Sequence, residues 1–165
     1  MDLRKLSKKD ADFMLEWMRD PELIKNFRSN FEDSTNDTVI SFIENSINDE
    51  NNLHYAIVNN YDEYLGTISL KSINKTDKNA EYAIALRKIA IGKGVAKDAT
   101  KAILDIAFDR LNLRKVYLNV LEENIRAIRF YEKFGFRYEG EFRDHIYIHG
   151  EFKTLKWYAI FCGGN

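Results

Sequence analysis

The chain contains one cysteine, Cys162, which excludes an intramolecular disulfide and leaves a thiolate metal site without a second sulfur. Such sparing use of cysteine suits a reducing cytoplasm, where we expect the protein to work. Proline is equally scarce, Pro21 being the sole example. No stretch rich in Gly, Pro or Ser marks a linker, and there is no low-complexity tract or internal repeat. No apolar run approaches the roughly eighteen residues that a membrane helix requires, so no membrane association is expected. Met1 to Asp10 is charged throughout and lacks the apolar centre of a signal peptide. Excess charge of either sign is also missing. Twenty-five basic residues against 26 acidic ones give a formal net charge of -1, which argues against a nucleic-acid partner. The three histidines, His54, His145 and His149, have no metal-ligand spacing, and no metal is expected.

What is present describes one globular domain over residues 1–165. Hydrophobic residues make up 45% and charged ones 31%, enough apolar surface to build a core and too much for disorder. Ser7 followed by Asp10 is a helix-start signal, and Phe13, Met14, Trp17 and Met18 then recur at helical spacing up to Asp20-Pro21. Residues 22–30 fit a short helix or a loop. A second helix is expected over 36–47, with Asn36 as its N-cap and Val39, Ile40, Ile43 and Ile47 on one face. Short runs at 54–58, 64–71 and 80–86, separated by polar turns, predict an antiparallel meander. A helix over 94–111, a strand over 115–121 and a helix over 124–134 closed by Gly135 come next. A hairpin over 136–148 and 151–161, turned at His149-Gly150, ends the chain. The fold class is therefore α/β (α+β), a central mixed, mostly antiparallel sheet flanked by helices.

The most informative junction is the one where the strand over 80–86 leads through Ile91-Gly92-Lys93-Gly94-Val95-Ala96 into a long helix. The first turn of a helix carries unpaired N–H groups and the positive end of the macrodipole. Glycines there allow a tight turn and let an anion come close to the backbone. Lys93 adds charge at the rim. The Walker pattern is ruled out, because Val95-Ala96 follows Gly94 where Lys-Ser or Lys-Thr is required, and the dinucleotide pattern fails for want of a third glycine. The two glycines by themselves leave a plain tight turn as open as an anion cradle.

Downstream, Asn124-Ile125-Arg126-Ala127-Ile128-Arg129-Phe130-Tyr131-Glu132-Lys133-Phe134-Gly135-Phe136 is the most specific string in the chain. Together with the glycine loop at this distance before it, it resembles the GNAT superfamily of acetyl-CoA-dependent N-acetyltransferases. The fuller form, with Glu139-Gly140-Glu141 and a terminal hairpin, looks like the branch holding ribosomal-protein alanine, spermidine and amino-sugar-nucleotide acetyltransferases. The sequence departs from the family pattern at Ile91, where Gln or Arg usually opens the loop. The resemblance implies that acetyl-CoA, as acetyl donor, is held by backbone groups of Ile84, Ala85 and Leu86 and of Ile91 to Ala96, and by Asn124, Ala127 and Lys133. It implies Tyr131 as the general acid that protonates the leaving thiolate, and direct transfer in a ternary complex without an acyl-enzyme. It also makes Glu81, an acid in an otherwise apolar strand, a base acting through water. Read from the residues alone, Tyr131 can equally be a packed ring, Asn124 a plain N-cap and Glu81 a solvent-facing strand residue. Cys162 reads as a small buried apolar side chain rather than a nucleophile.

The acceptor is expected to be a small-molecule amine. In this family its pocket is built from the N-terminal helices and the last hairpin, here Trp17, Asn26, Phe27, Arg28 and Phe31 with Arg143 and Tyr147. Aromatic and arginine side chains suit a nucleotide-linked amino sugar. A polyamine would call for acids, which Glu32, Asp33, Glu81 and Glu141 could supply, and a protein N-terminus for an open groove. His145, with Asp144 and Tyr147, is a further candidate for the pocket lining. A non-catalytic acetyl-CoA-binding regulatory module is the alternative of another class. The aromatic C-terminal hairpin leaves room for a homodimer.

Overall fold

Strand β1 (Asp2–Lys5) and the short capping turn at Lys8–Asp10 lead into α1 (Ala11–Met18) and α2 (Pro21–Ile24). Then follow α3 (Asn36–Ser46), β2 (Leu53–Val58), β3 (Tyr64–Asn74), β4 (Asn79–Leu86), α4 (Val95–Asp105), β5 (Lys115–Leu121), α5 (Ile125–Phe134), β6 (Arg137–Ile148) and β7 (Glu151–Phe161). The structure is a computed structural model and describes residues 1–164. The strands form one sheet in the order β1-β2-β3-β4-β5-β7-β6. Its neighbours are antiparallel except β4 and β5, which run parallel. No helix among the described residues is long and apolar enough to cross a membrane.

The start of the chain departs from the expected pattern. The charged segment Asp2–Lys5 is an edge strand on β2, with Leu3 opposite Ile57. Its charge is absorbed by tertiary contacts. Arg4 donates two hydrogen bonds of 2.8 Å to the carboxylate of Asp10, which is buried at 1% exposure. A buried carboxylate needs such a bidentate partner, and the pair ties β1 to the start of α1. Asp10 also accepts the N–H of Ser7 at 2.8 Å, so the Ser7–Asp10 start signal forms the expected capping pair. Pro21 occupies the first turn of α2, where its missing N–H costs nothing.

Three finer expectations are corrected. Thr35, not Asn36, caps α3: its hydroxyl accepts the N–H of Thr38 at 3.2 Å while the Thr38 hydroxyl accepts the N–H of Thr35 at 2.9 Å. Extended backbone at Thr35 leaves Asn36 as the first helical residue. Ile47 lies beyond the end of that helix and is exposed, whereas Val39 and Ile43 are buried. Cys162 is exposed too, because β7 stops at Phe161 and the cysteine falls in the turn past the sheet.

Pleat alternation sends successive residues to opposite faces and so divides the core. One face, with Ile57, Ile68, Leu70, Tyr82, Val116 and Leu118, is covered by α4 and α5 through Ala99, Ile103 and Ile128. The other face, with Ala56, Val58 and Tyr64, is covered over β2, β3 and the Ala85 end of β4, by α1 and α3 through Met14, Trp17 and Ile43. A small apolar cluster of Leu121, Ile146, Ile148 and Leu155 lies under the last hairpin. Between these two patches the rest of the second face of β4 and β5, around Glu81 and Asn119, is left without a helix.

Arg87, at the exit of β4, locks the sheet to α1. It is 7% exposed, donates to Glu16, Glu63 and the Tyr64 carbonyl at 2.8 Å each, and lies 4.1 Å from the centre of the Phe13 ring. Arg87→Met leaves the buried carbonyl and two half-exposed carboxylates unpaired. We expect a loss of about 2 kcal/mol, the weight of charge-assisted hydrogen bonds, read as a lowered midpoint in urea unfolding.

Candidate functional site

The site starts from a break in the sheet. Strands β4 and β5 pair only at Asn79↔Lys115, Ala80↔Val116 and Glu81↔Tyr117. Past Glu81, β4 stays on β3 as far as Leu86, and β5 stays on β7 as far as Leu121, so the two splay apart. The inner edge of Tyr82–Leu86 thus has backbone groups with no neighbouring strand, an arrangement that accepts an extended amide-bearing ligand. A cleft of about 1290 Å³ fills the gap. Its lining includes residues from both faces of the sheet, so it passes through the sheet rather than lying on it.

At one end is the glycine loop. A short turn at Lys88–Ala90 and Ile91 lead to Gly92 (φ 77°) and Gly94 (φ 79°), both left-handed, and Gly94 caps α4. The first-turn amides of α4 therefore stand free at the cleft mouth. Lys97, Lys101, Arg126 and Lys133 line the same end, with Asp98 among them. Backbone amides, a helix dipole and four cations make this end fit a polyphosphorylated group such as the diphosphate arm of acetyl-CoA. The lining includes Ile84, Ala85, Leu86, Ile91, Gly92, Gly94, Val95, Ala96, Asn124, Ala127 and Lys133, all expected from the sequence. Lys93 is exposed and lies outside that lining.

Midway, Tyr131 enters from α5. Its ring packs edge-to-face on Tyr82 (5.9 Å), Phe136 (5.7 Å) and Phe130 (5.5 Å). No side chain or backbone group among the described residues hydrogen-bonds to its hydroxyl, and burial pushes that hydroxyl up to about 12. Asn124 accepts the Ala127 N–H at 3.3 Å, so it is the cap of α5 and also part of the cleft wall.

On the opposite face Glu81 is held rather than free in solvent. Its side chain is 23% exposed, one carboxylate oxygen accepts from Asn119 Nδ2 at 2.8 Å, and Lys71 Nζ is 3.7 Å from the other. Burial and the negative charge of Glu81 push the nearby Tyr117 hydroxyl up. Glu22, Asn26, Phe27 and Arg28 approach this end, and so does Trp17, whose indole N–H donates to Tyr64 Oη at 3.0 Å. His145 also lines the cleft.

Several expected acceptor residues are not brought there. Phe31 packs against Trp17 at 5.2 Å and Phe27 at 5.4 Å, behind the lining. Tyr147 is 62% exposed and stacks on Phe152 of the hairpin. Glu32, Asp33, Arg143 and Asp144 are also outside the lining. Conversely, Lys71, Lys97, Lys101, Asn119, Arg126 and Trp157 line the cleft without having been singled out. Asn119 could have been found, because it interrupts the apolar run Val116–Leu121 just as Glu81 interrupts its own strand. Trp157 is notable for an Nε1 that is buried and has no hydrogen-bond partner among the described residues. Among the described residues no group of three His, Cys, Asp or Glu side chains could hold a metal ion.

These features define an acetyltransferase fold, and the comparisons agree. Residues 1–137 match the family described as acetyltransferase (GNAT) domain, and the chain belongs to that family. The spermidine N(1)-acetyltransferase of Escherichia coli K12 is 38% identical over 99 residues, 60% of this chain and 53% of that protein. The alignment thus spans about half the length of that relative. The uncharacterized N-acetyltransferase p20 of Bacillus licheniformis is 30% identical over 161 residues, covering 96% of this chain and 90% of that one. Among solved structures, spermidine N-acetyltransferase from Vibrio cholerae in complex with CoA and spermine has a TM-score of 0.91 at 26% identity, covering 99% of this chain and 96% of that one.

The glycine loop can be tested without any ligand. An added Cβ at Gly94 meets nothing within 4 Å, so Gly94→Ala should cost only the left-handed backbone, about 1–2 kcal/mol. Gly94→Asn, which tolerates that conformation, should cost less, and thermal unfolding of the two variants compares them directly.

Proposed function

We propose that the protein is an acetyl-CoA-dependent N-acetyltransferase whose acceptor is a primary amine of a polyamine. The observation that carries the reading is the slot between β4 and β5, which joins an anion cradle and Tyr131 on one face to Glu81 on the other. When bound, acetyl-CoA supplies an acyl group activated as a thioester. The amides of Gly92 to Ala96 and the side chains of Lys97, Lys101, Arg126 and Lys133 would hold its phosphates. The open edge of Tyr82–Leu86 would take its amide-bearing arm. Ile91 contributes no side-chain hydrogen bond, so backbone groups and the four cations carry this contact.

A free alkylamine has a pKa near about 10.4, and the amine must lose a proton to attack. In this reading Glu81, held by Asn119 on the acceptor face, takes that proton, directly or through a water. Tyr131 remains protonated over the working range because burial raises it, so it can donate to the leaving sulfur.

The names of the relatives support a polyamine over a nucleotide-linked amino sugar, and the placement of Glu22 and Glu81 at the acceptor end agrees. Phe31 and Tyr147, two of the aromatics that would have suited a nucleotide, lie away from the cleft. A panel of spermidine, spermine, amino-sugar nucleotides and N-terminal peptides, scored by release of the CoA thiol, tests the reading. Turnover of the polyamines ahead of the rest is expected. Turnover of another class reassigns the acceptor, and CoA binding without turnover of any amine would favour a non-catalytic module.

Two substitutions test the roles. Tyr131→Phe should lower kcat by about 10²-fold or more, the scale of general acid catalysis, with the KM for acetyl-CoA little changed. Because the raised hydroxyl stays protonated to about 12, the wild-type rate should rise with pH as the amine deprotonates, with no falling limb from Tyr131 below about pH 10. Glu81→Gln should lower kcat near neutrality and regain part of the loss at alkaline pH, where the amine is already neutral.

A further inference from the structure

Beside the cleft, on the sheet face that carries Glu81, lies a second hollow of about 590 Å³. Its walls are Tyr117 on β5, Trp157 on β7 and Phe142 on β6, with Glu139, Glu141, Lys115 and Asn79 at the rim. Trp157 lines both spaces and is the partition between them. The rings form a continuous floor, Tyr117 to Trp157 at 6.1 Å and Trp157 to Phe142 at 5.1 Å. Tyr117 is also the cross-strand partner of Glu81, so the floor begins where the slot through the sheet ends.

The cost of this arrangement is visible. The Trp157 indole keeps its N–H buried with no acceptor among the described residues, which leaves the ring itself as what it offers a ligand. Phe142 remains 49% exposed beside it. Aromatic faces next to carboxylates attract alkylammonium groups: rings stabilise a cation by cation–π contact and cover the methylenes between charges. Lys115 is spoken for by Glu139, and Glu141 has no ion-pair partner among the described residues, so the rim retains negative charge.

We propose that this hollow is the distal subsite of the acceptor groove. It takes the far aminoalkyl arm of a linear polyamine whose near amine stands at Glu81. The methylenes lie across Tyr117 and Trp157, and the distal ammonium rests between the Phe142 ring and the Glu139–Glu141 rim. This rests on the transferase reading above, but it can fail separately. Chain length then becomes a selectivity device: a short monoamine reaches Glu81 and leaves the hollow empty, while a triamine fills both.

Calorimetric binding of spermidine and of propylamine, with the CoA-bound protein, tests the subsite without requiring turnover. Phe142→Ala removes a half-exposed ring outside the reacting groups and should weaken spermidine about fivefold, the scale of one partly desolvated cation–aromatic contact, while propylamine is unaffected. Glu139→Gln removes a rim charge and frees Lys115, so it should weaken spermidine in the same direction, more so at low salt. Unchanged spermidine affinity in both variants, equal losses for the two amines, or no preference for spermidine in the wild type would each overturn the subsite and leave the transferase reading standing. Length-selective binding that both variants weaken, in a protein that acetylates no amine, would support the subsite and overturn the transferase reading.

Discussion

Strands β4 and β5 are parallel neighbours that stop being neighbours after three residue pairs, and most of what the molecule can do follows from that separation. A parallel pair inside a sheet normally satisfies its backbone along its whole length. Here each strand keeps its outer partner, so neither frays, and the inner edges stay available for a ligand. Only because the strands separate can a side chain from α5 and a side chain from the opposite sheet face border one cleft. Glu81 is the last residue of the paired stretch, and Tyr82, its immediate neighbour, points the other way and packs on Tyr131. The pleat therefore puts the two proposed proton-handling groups on either side of a single backbone step.

The surrounding structure holds that gap in shape. Arg87 pins the end of β4 to α1 and to the start of β3 just before the glycine loop begins. Gly94 then turns the chain so that α4 presents its amino end to the gap, and the broad apolar face of α4 buries Ala99 and Ile103 against the sheet. At the far side, the Asn124 cap and Gly135 bracket α5, fixing the helix on which Tyr131 sits. The second sheet face is covered by helices over β2, β3 and the Ala85 end of β4. The remainder, with Asn119, Tyr117, Trp157 and Phe142, stays open as a polar and aromatic floor. An acceptor groove needs a surface of this kind, shaped by strands and left unclaimed by the core.

Much of the fold was legible in the sequence because local signals and tertiary packing agree. Strand β5 and helix α5 lie where β-formers, a capping Asn124 and a terminal Gly135 put them, and the last hairpin turns at His149-Gly150. Strand β1 was not legible. Its charged residues hide an edge strand whose stability depends on Asp10, a partner outside the strand. The cap of α3 shifted by one residue because Thr35 and Thr38 satisfy each other, a reciprocal pair that outweighs a lone Asn. In the site, residues tied to the backbone of the glycine loop or to α5 were legible, since their positions follow from neighbours in the chain. Acceptor residues were legible only in part: Trp17, Asn26, Phe27 and Arg28 line the cleft, but Phe31 turns onto Trp17 and Phe27, and Tyr147 packs on its cross-strand neighbour Phe152.

The sequence by itself determined the family, the order of the elements from α3 onward, the glycine turn before α4 and the tyrosine on α5, all features set by interactions within a few residues or by a contiguous motif. Only the tertiary structure decided that Glu81 is held by Asn119 and faces Lys71, that Lys93 stays outside the cleft while Lys97, Lys101 and Arg126 line it, and that Trp157 divides one cavity from another. The reason is physical. Which face a side chain occupies is set by strand pairing and by where that pairing ends, and the point at which β4 leaves β5 depends on contacts between residues far apart in the chain.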